Sequence, residues 1–94
     1  MGKVSYADIP AMLADFKDFQ GNSMSAKNWD GGMVYEVKFY NTRILSIDFK
    51  TMSYYFNEDG YSPTTSHHQN IVRRFLAQEL SRRILFGLPS LEKE

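Results

Sequence analysis

The chain has 94 residues, 43% of them hydrophobic and 15% aromatic, with eleven Lys or Arg against eleven Asp or Glu and no cysteine. This length makes one domain, residues 1–94, with a single modest core and an expected radius of gyration of roughly 12 Å; the composition excludes a disordered chain, and no apolar run approaches the ~20 residues of a membrane span. Zero net charge argues against a protein whose main task is coating a phosphate backbone, and the lack of cysteines and of an apolar export segment makes the cytoplasm the expected location.

Ile9, Met12, Leu13, Phe16 and Phe19 recur at i, i+3, i+4, i+7 and i+10, one face of a 3.6-residue period. Pro10 decides where this helix starts. With Ser5 as cap it would sit in the fifth helical position and clash with the preceding turn; with Asp8 as cap it falls harmlessly in the first turn. The pattern predicts a short helix over residues 9–19, ended by Gly21, with Asp15, Lys17 and Asp18 facing solvent.

Residues 22–29 read as a short edge strand with Ser23 and Ser25 on one face. After the turn signal Asp30-Gly31-Gly32, residues 33–40 alternate, Tyr35, Val37 and Phe39 against Val34, Glu36, Lys38 and Tyr40. Asn41-Thr42 reverses the chain without the Gly that a tight hairpin favours, so a longer or bulged loop is expected. Residues 43–49 alternate again, Leu45, Ile47 and Phe49 opposing Ile44, Ser46 and Asp48. Lys50-Thr51 makes the next reversal, and residues 52–56 form a further strand.

The stretch Tyr61-Ser62-Pro63-Thr64-Thr65-Ser66-His67-His68-Gln69 links this sheet to the one long helix. Ser66 and Gln69 form a capping-box pattern, which predicts a helix over residues 66–86, about 31 Å long. Capping and the Pro63 turn are the simpler account of this polarity; the alternative is that a helix start with this many hydroxyls holds a small anionic ligand such as a nucleotide, with Thr64, Thr65, Ser66 and His68 as its ligands. Gly87, Leu88 and Pro89 form a stop signal, with residues 88–94, like residues 1–7, as flexible ends. The fold class is α+β: an antiparallel meander of about four strands, with a short N-terminal helix and a long C-terminal helix packed on one face.

On the long helix, Ile71, Val72, Phe75, Leu76, Leu80 and Ile84 span the arc expected to lie on the sheet. Glu79 and Arg83 fall in the same arc, either as an i, i+4 ion pair at its rim or, with Arg82 and Phe86, as part of an end that overhangs the sheet and meets a partner. Arg73, Arg74, Arg82 and Arg83 form the chain's concentrated positive charge, and with Tyr40 and Tyr55 they make the expected partner-binding surface. An exposed helix face of this kind can equally make a symmetric dimer.

Catalytic signatures do not emerge. His67 and His68 diverge by about 100° and cannot readily share a metal, so no metal or cofactor is expected; no nucleophile elbow, phosphate loop or dinucleotide fingerprint occurs. Aromatics at Tyr35, Phe39, Tyr40, Tyr54, Tyr55 and Phe56 fall on both sheet faces, which allows base stacking, so nucleic acid is the second choice of partner after protein.

Asn22-Ser23-Met24-Ser25-Ala26, Tyr35 and Val37 leading to Tyr40 and Thr42-x-Ile44, then Asn57 and Tyr61-Ser62-x-Thr64-Thr65-Ser66-x-His68-Gln69 resemble a family of small uncharacterised proteins encoded by bacteriophages and prophages. The resemblance spans about residues 16–69, and its most specific part is Thr-Thr-Ser-x-His-Gln. The chain departs from it at Asn41, where a Gly is expected, and at Pro63, and the arginine-bearing helix lies beyond it. What it implies is a context and no chemistry: a phage protein in the host cytoplasm, of a size that often binds and blocks a host protein or complex, including defence systems such as CRISPR.

Overall fold

The computed structural model describes Ser5 and residues 7–21, 23–57 and 63–94, with side chains in the long helix from Gln69 onward. The side chains of Thr64, Thr65, Ser66 and His68, the turn at 61–62 and most of residues 1–7 lie outside the described residues, and so does the anion reading built on them.

Helix α1 spans Ile9–Ala14 and starts where Pro10 requires, with Asp8 in the cap position. The Asp8 carboxylate does not cap, however; it accepts a hydrogen bond from Ser5 Oγ at 3.0 Å. The helix ends at Ala14, well before residue 19, because Phe16 turns left-handed at φ +53°. The Lys17 N–H then donates to Met12 O at 3.0 Å and the Phe16 N–H to Leu13 O at 2.9 Å, a Schellman closure built on a residue other than glycine. The strain is offset by packing: the Phe16 ring meets Tyr35, Phe49 and Phe75 edge-on at 5.3, 5.5 and 5.6 Å. Phe19 belongs to a strand.

Among the described residues the sheet has six strands in simple sequential order: β1 Phe19–Gln20, β2 Met24–Trp29, β3 Val34–Phe39, β4 Thr42–Asp48, β5 Ser53–Phe56 and, after the long helix, β6 Glu92–Lys93. The four expected strands are β2 to β5 and pair antiparallel. Two corrections follow. Strand β2 is not an edge, since β1 pairs with it, and β6 joins β5 in parallel, so the sheet is mixed. The tail beyond Pro89, expected to fray, buries Leu91 and donates from Glu92 N to Met52 O at 2.8 Å and from Glu94 N to Tyr54 O at 2.9 Å.

In the β3–β4 hairpin, Phe39 faces Thr42, which leaves Tyr40-Asn41 as a tight two-residue loop with Tyr40 at φ +54°. The expected irregularity lies deeper. Val37 faces Leu45 while Lys38 faces Arg43, so Ile44 is the extra residue of a bulge, and both Ile44 and Leu45 are buried.

Helix α2 spans Pro63–Leu85 and begins three residues before Ser66, with Pro63 at the first helical position that proline favours. Ser66 therefore does not mark the helix start, and its side chain lies outside the described residues; the Gln69 side chain is buried and donates from Nε2 to Asn57 O at 2.8 Å. The stop at Gly87 forms as expected, with φ +67°, Leu88 N–H on Arg83 O at 2.8 Å and Gly87 N–H on Ile84 O at 3.3 Å. Val72, Phe75 and Leu76 enter the core with Tyr35, Val37, Leu45 and Ile47, and α1 packs beside α2 on the same face. The opposite sheet face carries no helix; Lys27, Glu36, Ser46 and Tyr55 line up across it by register.

Candidate functional site

The 23 residues of α2 extend about 35 Å at 1.5 Å per residue, equal to the longest dimension of the molecule, 35 Å. Its last turn is left largely uncovered. Ile84, expected in the core arc, is 77% exposed, with Leu85 at 78% and Phe86 at 67%; Leu88, just past the Gly87 stop, is also exposed. Three consecutive apolar residues cover about 200° of a helix circumference and cannot all face one core, which is the sequence signal that marks them. Periodicity located the face of the helix and not the length of its support.

A buried clamp holds this end. The Glu79 carboxylate is almost wholly buried and accepts from Arg82 Nε at 3.2 Å, Arg82 Nη2 at 2.9 Å and Arg83 Nε at 2.9 Å. Arg83 also donates from Nη1 to Pro89 O at 2.9 Å and stacks over the Phe49 ring at 5.6 Å, leaving its side chain 11% exposed. The i, i+4 pair therefore exists, and it ties the helix end to the start of the tail. Hydrogen bonding and charge attraction from Glu79 raise the pKa of the outer guanidinium, Arg82, above its usual value. That cation sits beside the apolar end.

The four arginines do not form one surface. Arg83 is turned inward, and Arg73 and Arg82, nine residues apart, are half a turn out of phase. Arg73 donates from Nη1 to Asn70 Oδ1 at 2.8 Å and lies over the Phe56 ring at 5.4 Å, whereas Arg74 is exposed. Tyr40 projects from the hairpin tip, 68% exposed, with its ring 4.7 Å from Phe39. Tyr55 lies on the helix-free face beneath Arg43 at 5.1 Å, so it does not join the arginines of α2.

The aromatic residues are likewise sorted differently from the expectation. Tyr35 and Phe56 are buried on the helix side, and of the six aromatics read as covering both faces only Tyr55 stands on the outer one. Two of the cations there, Lys38 and Arg43, share one carboxylate, lying 3.5 and 3.8 Å from Glu36. Among the described residues no three His, Cys, Asp or Glu side chains gather as metal ligands, and no helix is long and apolar enough to cross a membrane. Comparison of the chain with protein-family models, with curated proteins and with solved structures finds no match.

Proposed function

We propose that this protein works by binding, docking the overhanging end of α2 onto a partner protein and blocking it. The observation that carries the reading is the exposure of Ile84, Leu85, Phe86 and Leu88 together, an apolar patch of a few hundred Å2, the scale at which a surface marks an interaction site. Arg82 supplies a charged rim, and the Glu79 clamp presents the patch in one orientation, which lowers the entropy cost of docking. The resemblance to small phage and prophage proteins supports a host factor as the partner, most specifically a component of antiviral defence. The outer sheet face, where Lys38 and Arg43 are both engaged by Glu36, is the weaker surface for nucleic acid.

The test is capture of partners from bacterial lysate by the wild-type protein and by Leu85→Asp and Phe86→Asp, with nuclease, at low and high salt. Both side chains are exposed, so the variants should keep their stability within about 0.5 kcal/mol. A stoichiometric protein that survives nuclease and salt and is lost with either variant is the expected result. Capture that is unchanged by both variants, or that collapses with nuclease, refutes it.

A further inference from the structure

A second feature lies on the flank of α2. Tyr54 and Phe56 of β5, Leu76, Ala77 and Leu80 of α2, and the side chains of Arg73 and Lys93 enclose a cleft of about 180 Å3. Its floor is apolar: Phe56 and Leu76 are buried, and Tyr54 and Leu80 are half-buried. Its two charged lining residues are both cations, and no carboxylate lines it among the described residues. The nearest acid along the helix, Glu79, is committed to Arg82 and Arg83. Arg73 is also held in place, by Asn70 on one side and the Phe56 ring beneath it. That leaves most of its five donors for a ligand. Lys93 reaches the opposite wall because β6 pairs Lys93 with Tyr54.

We propose that this cleft binds a small carboxylic acid with an apolar body of one ring, the acid group on the Arg73 fork and the ring against Tyr54, Phe56 and Leu80. Size and charge both select this class. A cavity of about 150 Å3 lined by apolar side chains accommodates benzene, so the cleft has room for one ring. A planar carboxylate matches a guanidinium in a bidentate arrangement that a neutral group cannot reproduce. An uncharged ring would lose that contact, and acetate would leave the apolar floor unfilled.

Phenylacetate is the probe, titrated into the full chain while the methyl signals of Leu76 and Leu80 are followed by NMR, with phenylacetamide and acetate as controls. For a ligand of this size the expected dissociation constant is about millimolar. Saturable shifts at both leucines, about tenfold weaker with phenylacetamide, are expected. Arg73→Gln should weaken phenylacetate about tenfold and leave phenylacetamide unchanged. Ala77→Phe, a change at an exposed helix position, fills the cleft and should abolish both. Equal affinity for acid and amide, phenylacetate binding unaffected by Arg73→Gln, or no saturable shift at Leu76 and Leu80 would each overturn the assignment.

Discussion

Replacing Glu79 by Gln keeps the shape of the side chain and removes its charge, which isolates the value of the clamp at the end of α2. The carboxylate accepts three hydrogen bonds from two arginines whose surroundings differ. Arg82 has a side chain 48% exposed and rehydrates on loss of its partner, so its share is the small one of a surface pair. Arg83, 11% exposed, keeps the Pro89 carbonyl, the face of Phe49 and at most the single amide oxygen of Gln, but its charge is left without a counterion, a loss of about 2–3 kcal/mol. The loss is therefore carried by Arg83, about 2–3 kcal/mol. With a urea slope of about 1 kcal/mol per M for a small domain, the midpoint of unfolding should fall by roughly 2–3 M. The cost belongs to the stranded charge, so Glu79→Met combined with Arg83→Met should be more stable than Glu79→Gln alone. A loss under about 0.5 kcal/mol for Glu79→Gln, or a double variant as unstable as the sum of its single changes, would refute the reasoning.

Two further tests address other parts of the fold. Burial, and secondarily the charge of Asp18, raises the Tyr35 pKa above the usual value, and its hydroxyl donates to Lys17 O at 2.9 Å. The native state thus holds this proton where the unfolded chain releases it: the contribution is complete below about pH 10 and is lost as pH rises further, at about 1.4 kcal/mol per pH unit. Urea titrations on either side of that value should show Tyr35→Phe with a shallower alkaline decline than the wild type, and parallel declines would contradict the assignment. At Gly21, an added Cβ would stand 2.9 Å from the Met24 carbonyl oxygen, which also accepts the Gly21 N–H at 2.7 Å. Gly21→Ala should therefore cost about 1–3 kcal/mol, read as a drop in Tm; an unchanged Tm would show that the β1–β2 connection shifts freely.

How much of this was legible depended on whether a residue's neighbours are near in sequence. Strands β2 to β5 could be read because alternation is local, and so could the Gly87 stop, since its hydrogen bonds close within one helical turn. The end of α1 could not. Phe16 continues the helical apolar pattern, but it leaves the helix at φ +53° to reach Tyr35, Phe49 and Phe75, contacts that exist only once the sheet and α2 are in place. Gln69 shows the same limit. Its spacing from Ser66 suits a cap, yet the helix starts at Pro63 and the Gln69 amide donates to Asn57 O, twelve positions away. Strand β6 carries no signal of its own, because a Glu-Lys pair becomes a strand only by finding the edge of β5. At the candidate site, the arginines were visible as a composition and the Glu79–Arg83 pair as a spacing. The exposed Ile-Leu-Phe end required knowing where the sheet stops.

The very short strands at the two margins of the sheet have a consequence for the protein's behaviour in concentrated solution. If the sheet ended at β5, the sequence Ser-Tyr-Tyr-Phe would present an open row of backbone donors and acceptors flanked by aromatic rings, a template onto which another chain could add. At the other margin, β2 would offer six residues. Instead each margin is finished by two residues, Phe19–Gln20 and the oppositely charged Glu92–Lys93. Such stubs are too short to recruit a further strand. The segment after α1 and the tail after α2 therefore act as end-stops against fibrous growth, and removing the tail should increase self-association through β5.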